Sequence, residues 1–263
     1  MPHRAKKSLG QHFLRSKSAI RSIVSAGRVK EGDTVLEIGP GEGVLTEALL
    51  STGANVVAVE FDSALIPILQ ERFSEAIKNK KLTLIEKDVL KFDPESYNLN
   101  AGSYKLVANI PYYITGAIFE KFLTEKNPPS LLVVLIQKEV ATRIVARDKK
   151  ESILSISVKA FGAPKIIEKV PASAFRPAPK VDSAILLVDS VSQKNFSDGV
   201  STRHFFDIVR AGFAHKRKFL ARNLETVSTP NKIKEVFAET GLSEKTRAET
   251  VTLENWIRLA KKL

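Results

Sequence analysis

The residues of this chain best suited to chemistry lie together in Leu106-Val107-Ala108-Asn109-Ile110-Pro111-Tyr112-Tyr113. The stretch reads as a short buried strand, 104–108, that runs out into a turn displaying an amide, a forced bend and an aromatic ring. An aromatic exocyclic amine, such as that of adenine, is a poor nucleophile because its lone pair is delocalised into the ring. Two oxygen acceptors aimed at its hydrogens draw the nitrogen toward a tetrahedral, more nucleophilic form. The side-chain oxygen of Asn109 and the backbone carbonyl of Ile110 are candidates for that pair. Pro111 locks its own φ and keeps Ile110 out of the helical region, so the carbonyl stays directed outward. The ring of Tyr112 offers a face for a base extruded from its stack. The plainer alternative is a strand end closed by an Asn-x-Pro turn with locally packed tyrosines.

Upstream elements decide between these readings. Residues 33–38 form a strand pattern broken by Gly39-Pro40-Gly41-Glu42-Gly43, and helical spacing resumes over 44–51. Strand, glycine loop and helix open a nucleotide-binding α/β unit: Gly39 and Gly41 permit close backbone approach and the helix N-terminus turns amides toward a ligand. The G-x-G-x-G spacing is not the dinucleotide G-x-G-x-x-G, and Glu42 would repel a pyrophosphate. S-adenosylmethionine, an adenosine carrier without phosphates, fits better than a nicotinamide dinucleotide. A second strand, 54–59, ends at Glu60, which can accept from both ribose hydroxyls. A third, 82–86, leads to Asp88, either an acceptor for the cofactor's adenine amine or a helix cap. Gly39, Glu60, Asp88 and Asn109 thus all follow strands, at the edge where open α/β sheets bind ligands.

Further along, helices are expected at 18–26, 64–73, 115–123 and 137–147, and strands at 131–136, 153–161, 166–170 and 184–188. Phe175 begins a proline-braced extended segment, 175–183, and is either the second wall of a base sandwich opposite Tyr112 or a core residue. Residues 189–202 form a polar linker, and helical patterns at 203–214, 217–224, 231–239 and 253–262 follow. The expected architecture is a Rossmann-like α/β catalytic domain over 1–190, basic N-terminal arm included, with a small all-helical domain over 191–263.

The net charge of +12 is uneven: residues 1–30 hold eight Lys/Arg (Arg4, Lys6, Lys7, Arg15, Lys17, Arg21, Arg28, Lys30) and no acidic residue. Arg203, Arg210, Lys216, Arg217, Lys218 and Arg222 form a second cluster. Two separated basic patches suit a polyanion held at both ends, against the alternative of a solvated cationic surface. Absence of cysteine removes disulfides and thiolate chemistry. No metal-ligand spacing, no secretory signal and no membrane-length apolar run is present, so a cytoplasmic protein without metal or membrane association is expected.

With these residues, Gly10-Gln11-His12-Phe13-Leu14, Gln137-Lys138-Glu139-Val140-Ala141 and the basic stretch 213–224 in view, the chain resembles the rRNA adenine N6-dimethyltransferase family, nearest its bacterial 16S branch. The resemblance implies S-adenosylmethionine contacts from Gln11, His12, Leu14, Gly39, Gly41, Glu60, Asp88 and Asn109. It also implies that Asn109 and the Ile110 carbonyl orient the target amine, with Pro111 bending the turn and Tyr112 and Phe175 flanking the base. The implied substrate is a pair of adjacent adenines in the 3′-terminal hairpin loop of 16S rRNA, within an immature 30S subunit, and the implied enzyme is a monomer. His12 stands where the family commonly has Asn, and Ile153-Leu154 replaces its usual Tyr-Gly pair. A large-subunit rRNA dimethyltransferase, a DNA adenine methyltransferase and a non-enzymatic assembly factor are the competing readings.

Overall fold

The computed structural model describes residues 6, 9–146, 148–196 and 199–263; Arg4 and Lys7, named above, and residue 147, the last of the helix expected at 137–147, lie outside them. The elements in chain order begin with β1 (Phe13–Leu14), α1 (Lys17–Ala26), β2 (Thr34–Ile38), α2 (Val44–Leu50), β3 (Asn55–Glu60), α3 (Ile66–Arg72), α4 (Ser74–Lys78) and β4 (Leu82–Glu86). Then come β5 (Tyr104–Asn109), α5 (Thr115–Thr124), β6 (Leu131–Gln137), α6 (Lys138–Val145), α7 (Ile153–Lys159), β7 (Ala163–Val170), β8 (Phe175–Arg176) and β9 (Ser183–Asp189). The last four are α8 (Thr202–Phe213), α9 (Leu220–Leu224), α10 (Pro230–Thr240) and α11 (Leu253–Lys262).

Two compact units emerge, one comprising Met1–Ala141 with Ala163–Val191 and the other Thr142–Gly162 with Ser192–Leu263. The first holds a seven-stranded sheet of order β4-β3-β2-β5-β6-β9-β7, parallel from β4 through β6 and antiparallel at β9 and β7. Its central strands are mostly apolar, as a sheet covered on both faces requires; β6 buries Leu131 to Ile136 completely or nearly so. The chain builds outward from β2 through β3 to β4, then returns to add β5 on the other side of β2. That reversal opens a crevice beyond the ends of β2 and β5. Pairing of Ile38 with both Val59 and Ala108, and of Glu60 with Glu86, sets the ends of four strands on one edge. A separate two-stranded ribbon joins β1 to β8, Leu14 opposite Phe175 and Phe13 opposite Arg176.

The second unit is helical. Trp256 is fully buried and stacks on Phe213 at 5.4 Å. Gly212 makes that contact possible: a Cβ there would come within 2.3 Å of the indole. Residues 153–161, expected as a strand, carry α7 over Ile153–Lys159 instead. Ser152 accepts from the Ser155 N–H at 3.1 Å while Ser155 Oγ accepts from the Ser152 N–H at 2.7 Å, a reciprocal capping box that nucleates a helix. The segment 142–162 also belongs to the helical unit, whereas the expected boundary placed it with the sheet.

Candidate active site

A cleft lies over the crevice between β2 and β5. One lobe is lined by Gln11, His12, Leu14, Glu37, Gly41 and Tyr112 among others, the second by Phe61, Asp88, Leu90 and Tyr113, and Gln11, Gly39, Glu60 and Pro111 line both. Gly39 has φ +64°, and a Cβ there would project into open space 4.0 Å from the Asn109 carbonyl. Glycine therefore keeps the crevice floor open.

Asn109, the last residue of β5, donates from Nδ2 to the backbone carbonyl of His12 at 3.1 Å. A carbonyl can only accept, so this contact fixes which end of the amide is nitrogen. Oδ1 has no protein partner among the described residues and is left as an acceptor. Ile110 and Pro111 follow it along the cleft wall. The Tyr112 ring stacks with the His12 imidazole, centroids 5.9 Å apart at 21°, and His12 Nδ1 is hydrogen-bonded to the Pro177 carbonyl at 2.8 Å. That acceptor requires the proton on Nδ1.

Glu60 is buried, and burial pushes its carboxyl above the usual range despite three backbone donors: Phe61 and Asp62 N–H on Oε1, Gly41 N–H on Oε2. Those bonds fix its orientation toward both lobes. Asp88 caps a short 3₁₀ turn through the Leu90 N–H at 2.9 Å, while Oδ2 has no protein partner among the described residues. The helix-cap reading and an acceptor role are thus compatible.

Asp62 holds Lys6 and Gln11 beside the first lobe. Its carboxylate accepts from Lys6 Nζ at 2.6 Å and from Gln11 Nε2 at 2.8 Å, and the Lys6 N–H donates to Gln11 Oε1 at 2.8 Å. Burial opposes ionisation of Asp62, yet Lys6 and Gln11 hold its carboxyl below the ordinary range. Gln11 thus meets the cleft while its amide secures the arm. Phe175 is 5% exposed within the core cluster that includes Phe13 and Leu14, and it does not line the cleft. Several members of the N-terminal basic cluster are paired internally: Lys6 with Asp62, Arg15 with Glu42 at 2.5 Å, and Arg28 with Asp189 at 2.5 Å.

One functional candidate escaped the sequence reading. Glu37, in the middle of apolar β2, is 1% exposed and lines the first lobe. Thr46 Oγ1 donates to Oε2 at 2.7 Å, but Oε1 has no partner among the described residues. Burial, with a smaller contribution from the Glu60 charge, pushes this carboxyl up to about 8. A buried carboxyl with one oxygen orphaned beside an open cleft is a seat for a ligand cation, whose charge would draw the proton off. Between the unfolded value of 4.5 and about 8 the folded protein keeps a proton that the unfolded chain has released, so stability falls as pH rises through that window. Glu37→Gln removes this loss. Its gain in Tm over wild type is expected to be small at pH 5, to grow to the equivalent of roughly 2 kcal/mol or more by pH 8, and then to level off. Thermal unfolding across pH checks it; an equal shift at every pH would contradict it.

In the second unit, the segment between α8 and α9 exposes Lys216, Arg217 and Lys218, which have no acidic partner among the described residues. Its backbone is fixed: Arg247 donates to the Lys216 and Arg217 carbonyls at 3.3 Å each, and Asn223 Nδ2 donates to the Gly212 carbonyl at 2.6 Å and the His215 carbonyl at 3.2 Å.

A Rossmann-like sheet with its cleft at the switch point, lined there by a buried carboxyl that lacks a partner on Oε1 among the described residues, fits an S-adenosylmethionine-dependent methyltransferase, the class to which the chain belongs. Comparison with known proteins narrows the class: the ribosomal RNA adenine dimethylase profile matches residues 2–263, and the chain belongs to that family. It is 42% identical over 259 residues to the ribosomal RNA small subunit methyltransferase A of Dehalococcoides mccartyi, covering 97% of this chain and 87% of that protein. The same-named protein of Clostridium botulinum is 40% identical over 257 residues, covering 97% and 92%. Among solved structures, 23S rRNA methyltransferase ErmE superposes with a TM-score of 0.76 at 25% identity, covering 95% of this chain and 99% of that one. A dimethyladenosine transferase from Plasmodium falciparum gives 0.77 at 24% identity, covering 94% and 96%, and bears on the fold alone.

Proposed function

We propose that this enzyme dimethylates N6 of two adjacent adenines in the 3′-terminal hairpin loop of 16S rRNA, acting as a cytoplasmic monomer on an immature 30S subunit late in its assembly. Family membership and the small-subunit relatives support the RNA and the reaction. The observation that carries the chemistry is the Asn109 amide, held by its nitrogen so that Oδ1 remains an acceptor at the strand end.

S-adenosylmethionine supplies, when bound, a methyl on a sulfonium whose departure needs no acid. Glu60 would accept from its ribose hydroxyls and Asp88 from its adenine amine, while Phe61, Leu90 and Tyr113, all exposed, would give that base apolar contact. Glu37, with Oε1 unpartnered among the described residues in the first lobe, would receive the ammonium of its amino-acid end. Gly39, Gly41, Leu14, Gln11 and His12 complete the first lobe. For the substrate, Asn109 Oδ1 and the Ile110 carbonyl accept the two amine hydrogens and localise the lone pair on nitrogen, Pro111 holds the turn, and Tyr112 carries the base. Phe175 braces the arm through its pairing with Leu14, a contribution separate from the base-flanking role that the family resemblance implies for it. Positioning of this kind lowers a barrier by up to roughly 7–11 kcal/mol.

Labelled methyl transfer tests the proposal, with undermethylated 30S subunits, mature 30S subunits and naked 23S rRNA offered in parallel. Incorporation into undermethylated 30S alone is expected; preferential labelling of 23S would assign the chain to the large-subunit reaction.

A further inference from the structure

We propose that Ser183 is a positioning residue for methyl transfer, acting through the hydroxyl of Tyr112 to fix the surface on which the target base lies. The inference rests on the reading above and adds to it a residue outside the cleft lining. Tyr112 is gripped at three places. Its backbone carbonyl accepts from Thr115 Oγ1 at 2.9 Å, its ring stacks with His12, and its hydroxyl is hydrogen-bonded to Ser183 Oγ at 2.7 Å. These grips do different work. The phenol oxygen lies on the Cβ–Cγ axis, so a bond to it sets where the ring axis points but leaves rotation about that axis free. The His12 stack removes that rotation. Together they define one plane.

They also define one usable face. A base slipped between two rings needs two contact distances, about 7–8 Å in all, and the 5.9 Å separation of His12 and Tyr112 leaves no such gap. The base must therefore take the opposite face of Tyr112, and its height depends on the ring axis that Ser183 holds. Ser183 is suited to this. It is fully buried and begins β9, paired with Gln137 of β6 on one side and Val170 of β7 on the other, so its Oγ is anchored from both neighbouring strands. A buried hydroxyl needs a partner, and here the partner is the phenol.

The test uses the full chain carrying Ser183→Ala, Ser183→Thr, Tyr112→Phe and the double change Ser183→Ala with Tyr112→Phe. Single-turnover methyl transfer to undermethylated 30S subunits gives the rate, calorimetry with S-adenosylhomocysteine gives cofactor-site affinity and the folded fraction, and a 30S titration separates KM from kcat. Ser183→Ala and Tyr112→Phe are each expected to slow transfer about 3- to 10-fold, the worth of one hydrogen bond. The double variant should be no slower than either single one, because both remove the same bond. S-adenosylhomocysteine affinity and stoichiometry should hold, and Ser183→Thr should recover most of the rate. Rate losses that multiply in the double variant, a wild-type rate in Ser183→Ala, or in Tyr112→Phe a wild-type rate or a fall in S-adenosylhomocysteine stoichiometry matching its rate loss would overturn the proposal. Tyr112→Phe leaves Ser183 in place and reports on the bond even where Ser183→Ala unfolds. A wild-type chain that labels no 30S subunit would sink the wider reading as well; an active wild type with unaffected variants sinks this one alone.

Discussion

Asn109→Ala is expected to lower the single-turnover rate of methyl transfer by about 10²–10³-fold, the usual consequence of deleting one preorganised polar contact to a transition state. The amide does two things in the structure. Its nitrogen ties the end of β5 to the arm through the His12 carbonyl, and its oxygen is left as an acceptor. Alanine removes both, so Asn109→Asp is the informative companion. A carboxylate is isosteric and could accept from the amine, but it has no hydrogen to donate to His12 and would repel that carbonyl. Asn109→Asp should therefore also lose most of the rate, while S-adenosylhomocysteine affinity, carried by Glu60, Asp88 and Glu37, falls by no more than about tenfold. Near-normal transfer by Asn109→Ala would remove the amine-orienting mechanism.

Replacing Lys216, Arg217 and Lys218 together by alanine should produce the second large effect, on binding rather than chemistry. These side chains are exposed on a segment whose backbone Arg247 and Asn223 already hold, so little ordering opposes their contact with phosphate. Each phosphate contact releases counterions, and loss of three should reduce the slope of log K against log salt by about 2–3 and weaken 30S binding about 10²-fold or more at physiological salt. The rate at saturating 30S should remain. An unchanged salt slope would show that this segment does not touch RNA. The N-terminal cluster should contribute less per residue, since Lys6, Arg15 and Arg28 already face Asp62, Glu42 and Asp189.

Much of the sheet is legible in the sequence because buried parallel strands write themselves as continuous apolar runs, and because glycine and proline punctuate their ends. The convergence of Gly39, Glu60, Asp88 and Asn109 follows from that alternation alone, and strand register places them on one edge. Local hydrogen bonding was harder to foresee. Alternating Ser with Ile and Val over 153–158 mimics a strand, and only the reciprocal Ser152–Ser155 bonds reveal a helix start. Partners distant in sequence were illegible: Asn109 with His12, Tyr112 with Ser183, and the Asp62 clasp depend on chain segments brought together by folding. Glu37 did leave a signal, a carboxylate inside an apolar strand, which a search for buried charge would have found.

Nucleoside mass spectrometry of 16S rRNA from undermethylated 30S subunits, incubated with the chain and S-adenosylmethionine and then mapped by fragment, tests the central claim most directly. N6,N6-dimethyladenosine at two adjacent positions of the 3′-terminal hairpin loop is predicted with the wild-type chain, and its absence with Asn109→Ala. Methylation at another atom of adenine, or the same dimethylated pair formed at full rate by Asn109→Ala, would contradict it.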